Sequence, residues 1–169
     1  MGMIAIIMAV GQVFIDSGFT SALIRKLDRK EEDYSTTFIF NFLSSITCYA
    51  VIYILSVRIA GFYNQPELVS IIKVTGLTLV LNSFIVVQKA KLTIEMNFKT
   101  LAKCSLLSML ISASISITMA FNGFGVWSLV AQSLASSIFN VIFIWIVHPV
   151  RLTLRFSYDS FFDFVWVWL

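Results

Sequence analysis

Five stretches of this chain are each about 20 residues long and nearly free of charge, at about 3–24, 35–57, 70–88, 103–121 and 125–147. A helix rises about 1.5 Å per residue, so a run of that length matches the roughly 30 Å hydrocarbon core of a bilayer. Backbone groups in lipid must be bonded within the protein, and for uniformly apolar runs this means helices. A sixth apolar stretch, "FFDFVWVWL", starts near Phe161 and stops with the chain. The expected fold class is all-α: a multi-spanning transmembrane helical bundle of five spans plus a truncated sixth, forming one partial domain over 1–169.

Composition excludes most other classes. Of 169 residues, 59% are hydrophobic and 12% charged, about half the charged share of a soluble domain. Sixteen Phe against two Pro suit long apolar helices. A net charge of +3, held in the connections, does not suggest nucleic acid as a partner. Cys48 and Cys104 both lie inside apolar runs, and His148 is the one histidine, so neither a disulfide framework nor a metal site is expected. No phosphate-cradling glycine loop and no catalytic constellation occurs, which implies no enzyme and no cofactor.

The basic residues orient the chain. Arg25, Lys26, Arg29 and Lys30 follow the first run; Lys89, Lys91, Lys99 and Lys103 follow the third; Arg151 and Arg155 follow the fifth. Only Arg58 and Lys73 stand on the other side, so ten of the twelve Lys and Arg share one face of the membrane. The positive-inside rule places the loops at 25–34, 89–103 and 148–160 in the cytoplasm. The first residue then lies outside, and no basic, cleavable leader precedes the first run. Both ends therefore read as cuts through a larger protein. At the outer side, "FNGFGV" (121–126) reads as a tight turn whose Asn and Gly supply unusual backbone angles. In "GFYNQPEL" (61–68), Pro66 opens the next helix with Glu67 in its first turn.

Polar residues inside the runs are the candidates for function. Asp16 lies eight residues from the inner end of its run, about 12 Å deep. An acid there costs about 2.5–3.5 kcal/mol on insertion scales, so it should face protein or a wet cavity. Three readings stay open: a lining residue of a transport pathway, a proton-coupled switch, or a local partner, with Ser17, for backbone loosened at Gly18. Lys73 either snorkels to the outer surface or contacts an anion there. Thr75, Thr78, Asn82 and Lys89 share one face of the third run, Gln132, Ser136 and Asn140 one face of the fifth, and Asn41 and Ser45 one face of the second. Such amides either bond neighbouring helices or line a cavity. Ser105, Ser108, Ser112 and Ser116 form a small-residue stripe that reads as helix packing. The candidate substrate-pathway set is Asp16, Asn41, Lys73, Asn82, Gln132 and Asn140.

Four segments carry a family resemblance: "VFIDSGFTSALIRKLDRKEEDYSTTFIFN", "FYNQPEL", "VQKAKLTIEMNFKTLAK" and "NGFGVWSLVAQSLASSIFN". Together they resemble the polysaccharide transporter branch of the oligosaccharide flippases, including the Wzx and WzxC-like proteins, in the multidrug/oligosaccharidyl-lipid/polysaccharide superfamily. The likeness runs through essentially the whole chain and corresponds to that family's second to sixth helices plus the start of the seventh. It implies a transporter of twelve to fourteen helices, in two bundles around a central cavity, of which this chain is part of the N-terminal one. It further implies translocation of undecaprenyl-pyrophosphate-linked oligosaccharide for polysaccharide or lipopolysaccharide biosynthesis. The implied partners are lipid-linked oligosaccharide, membrane lipids and polysaccharide-assembly proteins. A single bundle has no second one to rock against, so this piece alone is expected to transport poorly. The rival expectations are a cation-coupled exporter of drugs or small molecules in the same superfamily, and a membrane assembly subunit that transports nothing.

Overall fold

Four long helices follow one another with no strand among the described residues. The computed structural model describes residues 23–24 and 31–149. The expected first span at 3–24, apart from its last two residues, and the truncated span from 161 lie outside the described residues, as does Asp16. Helix α1 is Glu31–Phe62, α2 is Glu67–Ile94, α3 is Phe98–Phe121 and α4 is Val126–Val147. All four are long and apolar enough to cross a membrane.

Three of the helices extend beyond their apolar runs, and α4 matches its run to within one residue. Glu31, Glu32 and Asp33 begin α1, Lys89 and Lys91 close α2, and Lys99 and Lys103 open α3. Hydropathy marks where hydrocarbon lies, whereas backbone hydrogen bonding continues into the headgroup region, where charges are tolerated. Residues 31–34, expected in a loop, are therefore helical, and the connection expected over 89–103 contracts to Glu95–Asn97.

Local chemistry closes each turn. Pro66 caps α2 with Glu67 in its first turn, and Asn97 caps α3 by accepting from the Thr100 backbone N–H at 3.3 Å. The chain reverses through left-handed residues just past each of the first three helices: Asn64 at φ 51°, Met96 at φ 53° and Gly123 at φ 83°. Asn122, in the turn where Asn and Gly were both expected to take unusual angles, has an ordinary φ of −83°. Its side-chain amide instead donates to the Thr118 carbonyl at 2.7 Å.

Helix α2 is the centre of the packing. It lies against α1 on one side and α4 on the other, while α3 packs mainly on α4 and only narrowly on α2. Gly76 lets α1 come close, because a Cβ there would sit 3.0 Å from Cδ2 of Tyr49. Ile71, Ile72, Leu79 and Val86 of α2 pack with Ile52 of α1 and Val130 of α4. Nearer the Glu95 end, Ile85 and Leu92 pack with Cys104 of α3 and Ile144 of α4.

The polarity of this bundle is the reverse of a soluble one. Among the described residues, fully buried side chains are polar as often as apolar, while Leu, Ile, Val and Phe dominate the surface. On α1 the buried stripe is Thr37, Asn41, Ser45, Ile52, Ser56 and Ala60, and the outer face carries Leu43, Ile46, Val51, Ile54 and Val57. In water such a surface would be a continuous aggregation patch; in lipid it is the stable arrangement. The chain is an integral membrane protein.

Candidate functional site

The hydroxyls inside the bundle are largely satisfied by their own helices. Thr37, Ser45 and Ser56 of α1 donate to the carbonyls of Asp33, Phe42 and Tyr53 at 2.8, 2.7 and 2.6 Å. Thr78 and Ser83 of α2 do the same to Thr75 and Val80, each at 2.7 Å. This back-bonding removes the hydroxyls from the supply of free polar groups. On α3 the buried stripe is Cys104, Ser108, Ser112 and Ser116, at strict four-residue spacing, while Ser105, expected in that stripe, is exposed. The small side chains bring α3 close to α4.

Amides are what remain. Asn41 is buried on α1 and Asn82 half-buried on α2, and both are engaged. Phe42 meets the Phe84 ring edge-on with centroids 5.3 Å apart, so Asn41 and Asn82 stand within about a turn of one level. Lys73 does not join them. It lies nine residues away along α2, about 13 Å, with its ammonium 4.1 Å from the ring centroid of Tyr53 on α1. Neither a snorkelling lysine nor an anion contact was expected to use an aromatic face; the contact is a cation–π pair. Gln132 and Asn140, both half-buried on α4, are eight residues apart, and Oδ1 of Asn140 accepts no hydrogen bond among the described residues. The predicted set is therefore spread along the bundle rather than gathered at a point.

Sequence reasoning passed over Gln88. It is fully buried on α2, and neither Oε1 nor Nε2 has a partner among the described residues. Ile85 and Leu92, one turn to either side, pack with Ile144 and Val141 of α4. The signal was an amide inside "IVVQKAKL", overlooked because the neighbouring Lys89 drew the polar face one residue away. Two further contacts tie α4 to α2 at this end: the Trp145 indole N–H donates to the Phe84 carbonyl at 3.2 Å, and His148 Nε2 lies 3.1 Å from a Glu95 carboxylate oxygen. Among the described residues no cluster of three or more His, Cys, Asp or Glu side chains could hold a metal. At the opposite end of the bundle an open groove of about 370 Å³ lies between the last turns of α1 and the Asn64–Pro66 turn.

The arrangement sets neutral amides at several depths between apolar walls, with one cation against an aromatic ring. The family described as "Polysaccharide biosynthesis protein" matches residues 1–168. The chain is 25% identical over 158 residues to the teichuronic acid biosynthesis protein TuaB of Bacillus subtilis (strain 168), covering 90% of this chain and 33% of that protein. It is 27% identical over 122 residues to the succinoglycan biosynthesis transport protein ExoT of Rhizobium meliloti (strain 1021), covering 72% of this chain and 25% of that one. The chain thus spans a third or less of the length of these relatives. No solved structure matches it.

Proposed function

Because the chain belongs to the polysaccharide biosynthesis protein family, we propose that it is part of a flippase that carries a lipid-linked oligosaccharide across the bacterial inner membrane. The observation that carries the reading is the inverted polarity of the bundle: buried Asn41 and Gln88 inside, a continuous apolar surface outside. A lipid-linked sugar needs polar groups within the membrane for its hydroxyls and an apolar exterior for its tail. One relative is named for teichuronic acid biosynthesis and the other for succinoglycan biosynthesis transport, so polysaccharide biosynthesis is the common element.

In this reading Asp16, Asn41, Asn82, Gln132 and Asn140 line the route, with Gln88 added to them. Lys73 offers a cation to an anionic group at the outer end when it leaves Tyr53. The basic segments expected at 25–34, 89–103 and 148–160 face the cytoplasm. Alternating access requires a second bundle for this one to work against, and polysaccharide-assembly proteins are partners of the assembled transporter. A cation-coupled small-molecule exporter would instead leave glycan export unchanged when deleted. A non-transporting assembly subunit would tolerate Asp16→Asn without loss of flux. The test is a leaflet assay for the lipid-linked glycan in cells lacking the complete gene. The expected result is accumulation on the cytoplasmic leaflet; unchanged outward movement would reject the flippase.

A further inference from the structure

Helix α3 has two faces of opposite character. One is the small stripe Cys104, Ser108, Ser112 and Ser116, already packed on α4. On the other side, Lys99, Lys103, Leu106, Leu110, Ala113, Ile117 and Phe121 follow at spacings of three and four and fall on a single stripe. Leu106, Leu110, Ile117 and Phe121 are between 57% and 88% exposed, and both lysines are exposed as well. Among the described residues neither lysine side chain makes a hydrogen bond or ion pair. No acid occurs in α3, and Glu95, the nearest in sequence, lies 3.1 Å from His148.

Two lysines in the first two turns of a helix repel one another across the four-residue spacing and oppose the positive end of the macrodipole. Both costs fall when an anion sits beside the two ammonium groups. The stripe below fits lipid better than a protein neighbour. Helices that meet inside a bilayer do so through small side chains, and α3 has turned those toward α4, leaving large branched and aromatic groups outward. From Lys103 to Phe121 the stripe runs about 27 Å, close to the thickness of the hydrocarbon core. From Lys103 to Ala113 it spans about 15 Å, the depth of one leaflet.

We propose that this face of α3 is a binding site for one acidic phospholipid, with the phosphate between Lys99 and Lys103 and the acyl chains along Leu106, Leu110 and Ala113. The occupant belongs to the leaflet in which α3 begins, and the site does not depend on the cargo proposed above. It rests on charge complementarity and on the match between a cation-topped apolar stripe and an anion-topped amphiphile.

The test is native mass spectrometry of the full chain released from mixed micelles holding equal phosphatidylglycerol and phosphatidylcholine. The wild type is expected to retain phosphatidylglycerol in preference. Each lysine near a charged surface contributes about fivefold, so Lys99→Gln/Lys103→Gln should lower the preference by more than tenfold and Lys99→Arg/Lys103→Arg should keep it. Arg58→Gln removes one positive charge at the other end of the bundle and should leave the preference intact. Millimolar inorganic phosphate should not displace the lipid. Equal retention of both lipids by the wild type, an equal loss in the Arg58 variant, or displacement by phosphate alone would overturn the proposal.

Discussion

Trp145 of α4 donates its indole N–H to the backbone carbonyl of Phe84 of α2, across 61 residues of sequence and 3.2 Å of space. The ring of Phe84 is in turn flanked by Phe38 and Phe42 of α1, at 6.0 and 5.3 Å between centroids. One residue therefore joins three helices. An indole inside a bilayer has few other partners for its N–H, and interhelical bonds of this kind contribute about 0.6 kcal/mol, with a maximum near 1.7. Trp145→Phe is expected to lower stability by about 0.5–1.5 kcal/mol, read from unfolding in micelles. Trp145→Ala should cost about 3 kcal/mol or more, because the ring's packing goes with it.

Gly76 sets the distance between α1 and α2. Any β-branched side chain there meets the Tyr49 ring, whose carbons lie 3.0 and 3.1 Å from where a Cβ would be. Gly76→Val should destabilise by about 1–3 kcal/mol. Tyr49→Ala in the same chain should recover part of that loss. Gly76→Ala is a poorer probe, since a gain of about 1 kcal/mol in helix propensity offsets the clash.

Gln88 separates stability from function. A buried amide with no partner carries a desolvation penalty of about 1–3 kcal/mol. Gln88→Leu, close in volume, should therefore raise the unfolding midpoint while lowering glycan flux if the amide lines the route. A stabilised variant with unchanged flux would remove Gln88 from the pathway.

Lys73 and Tyr53 form a coupled pair. A double-mutant cycle using Lys73→Met and Tyr53→Leu should return about 0.5–2 kcal/mol of coupling, the range of a partly desolvated cation–π contact. Independent effects of the two substitutions would place the lysine away from the ring.

The four described spans and their class were legible because length and hydropathy are one-dimensional signals that a bilayer reads directly. Helix ends were less so: the charges of Glu31–Asp33 and Lys99–Lys103 leave hydrocarbon without leaving the helix. The small stripe of α3 was visible, yet Cys104 was set aside as a thiol and Ser105 put in its place. Neighbours in space were not legible at all. Nothing in the sequence says that α2 stands between α1 and α4, or that Lys73 meets Tyr53, since any apolar helix face can pack on any other. Gln88 was hidden for the same reason: its burial depends on which helices surround α2, not on its own run.

The account rests on four helices crossing the bilayer in alternate directions, which the reactivity of single cysteines reads most directly. In a chain lacking Cys48 and Cys104, cysteines replacing Gln65, Asn97 and Asn122 would be exposed to a membrane-impermeant maleimide in intact cells. The expected result is that Gln65→Cys and Asn122→Cys react from outside, whereas Asn97→Cys reacts only after permeabilisation. Reaction of Asn97→Cys from the same side as Gln65→Cys would contradict the threading and, with it, the transport reading.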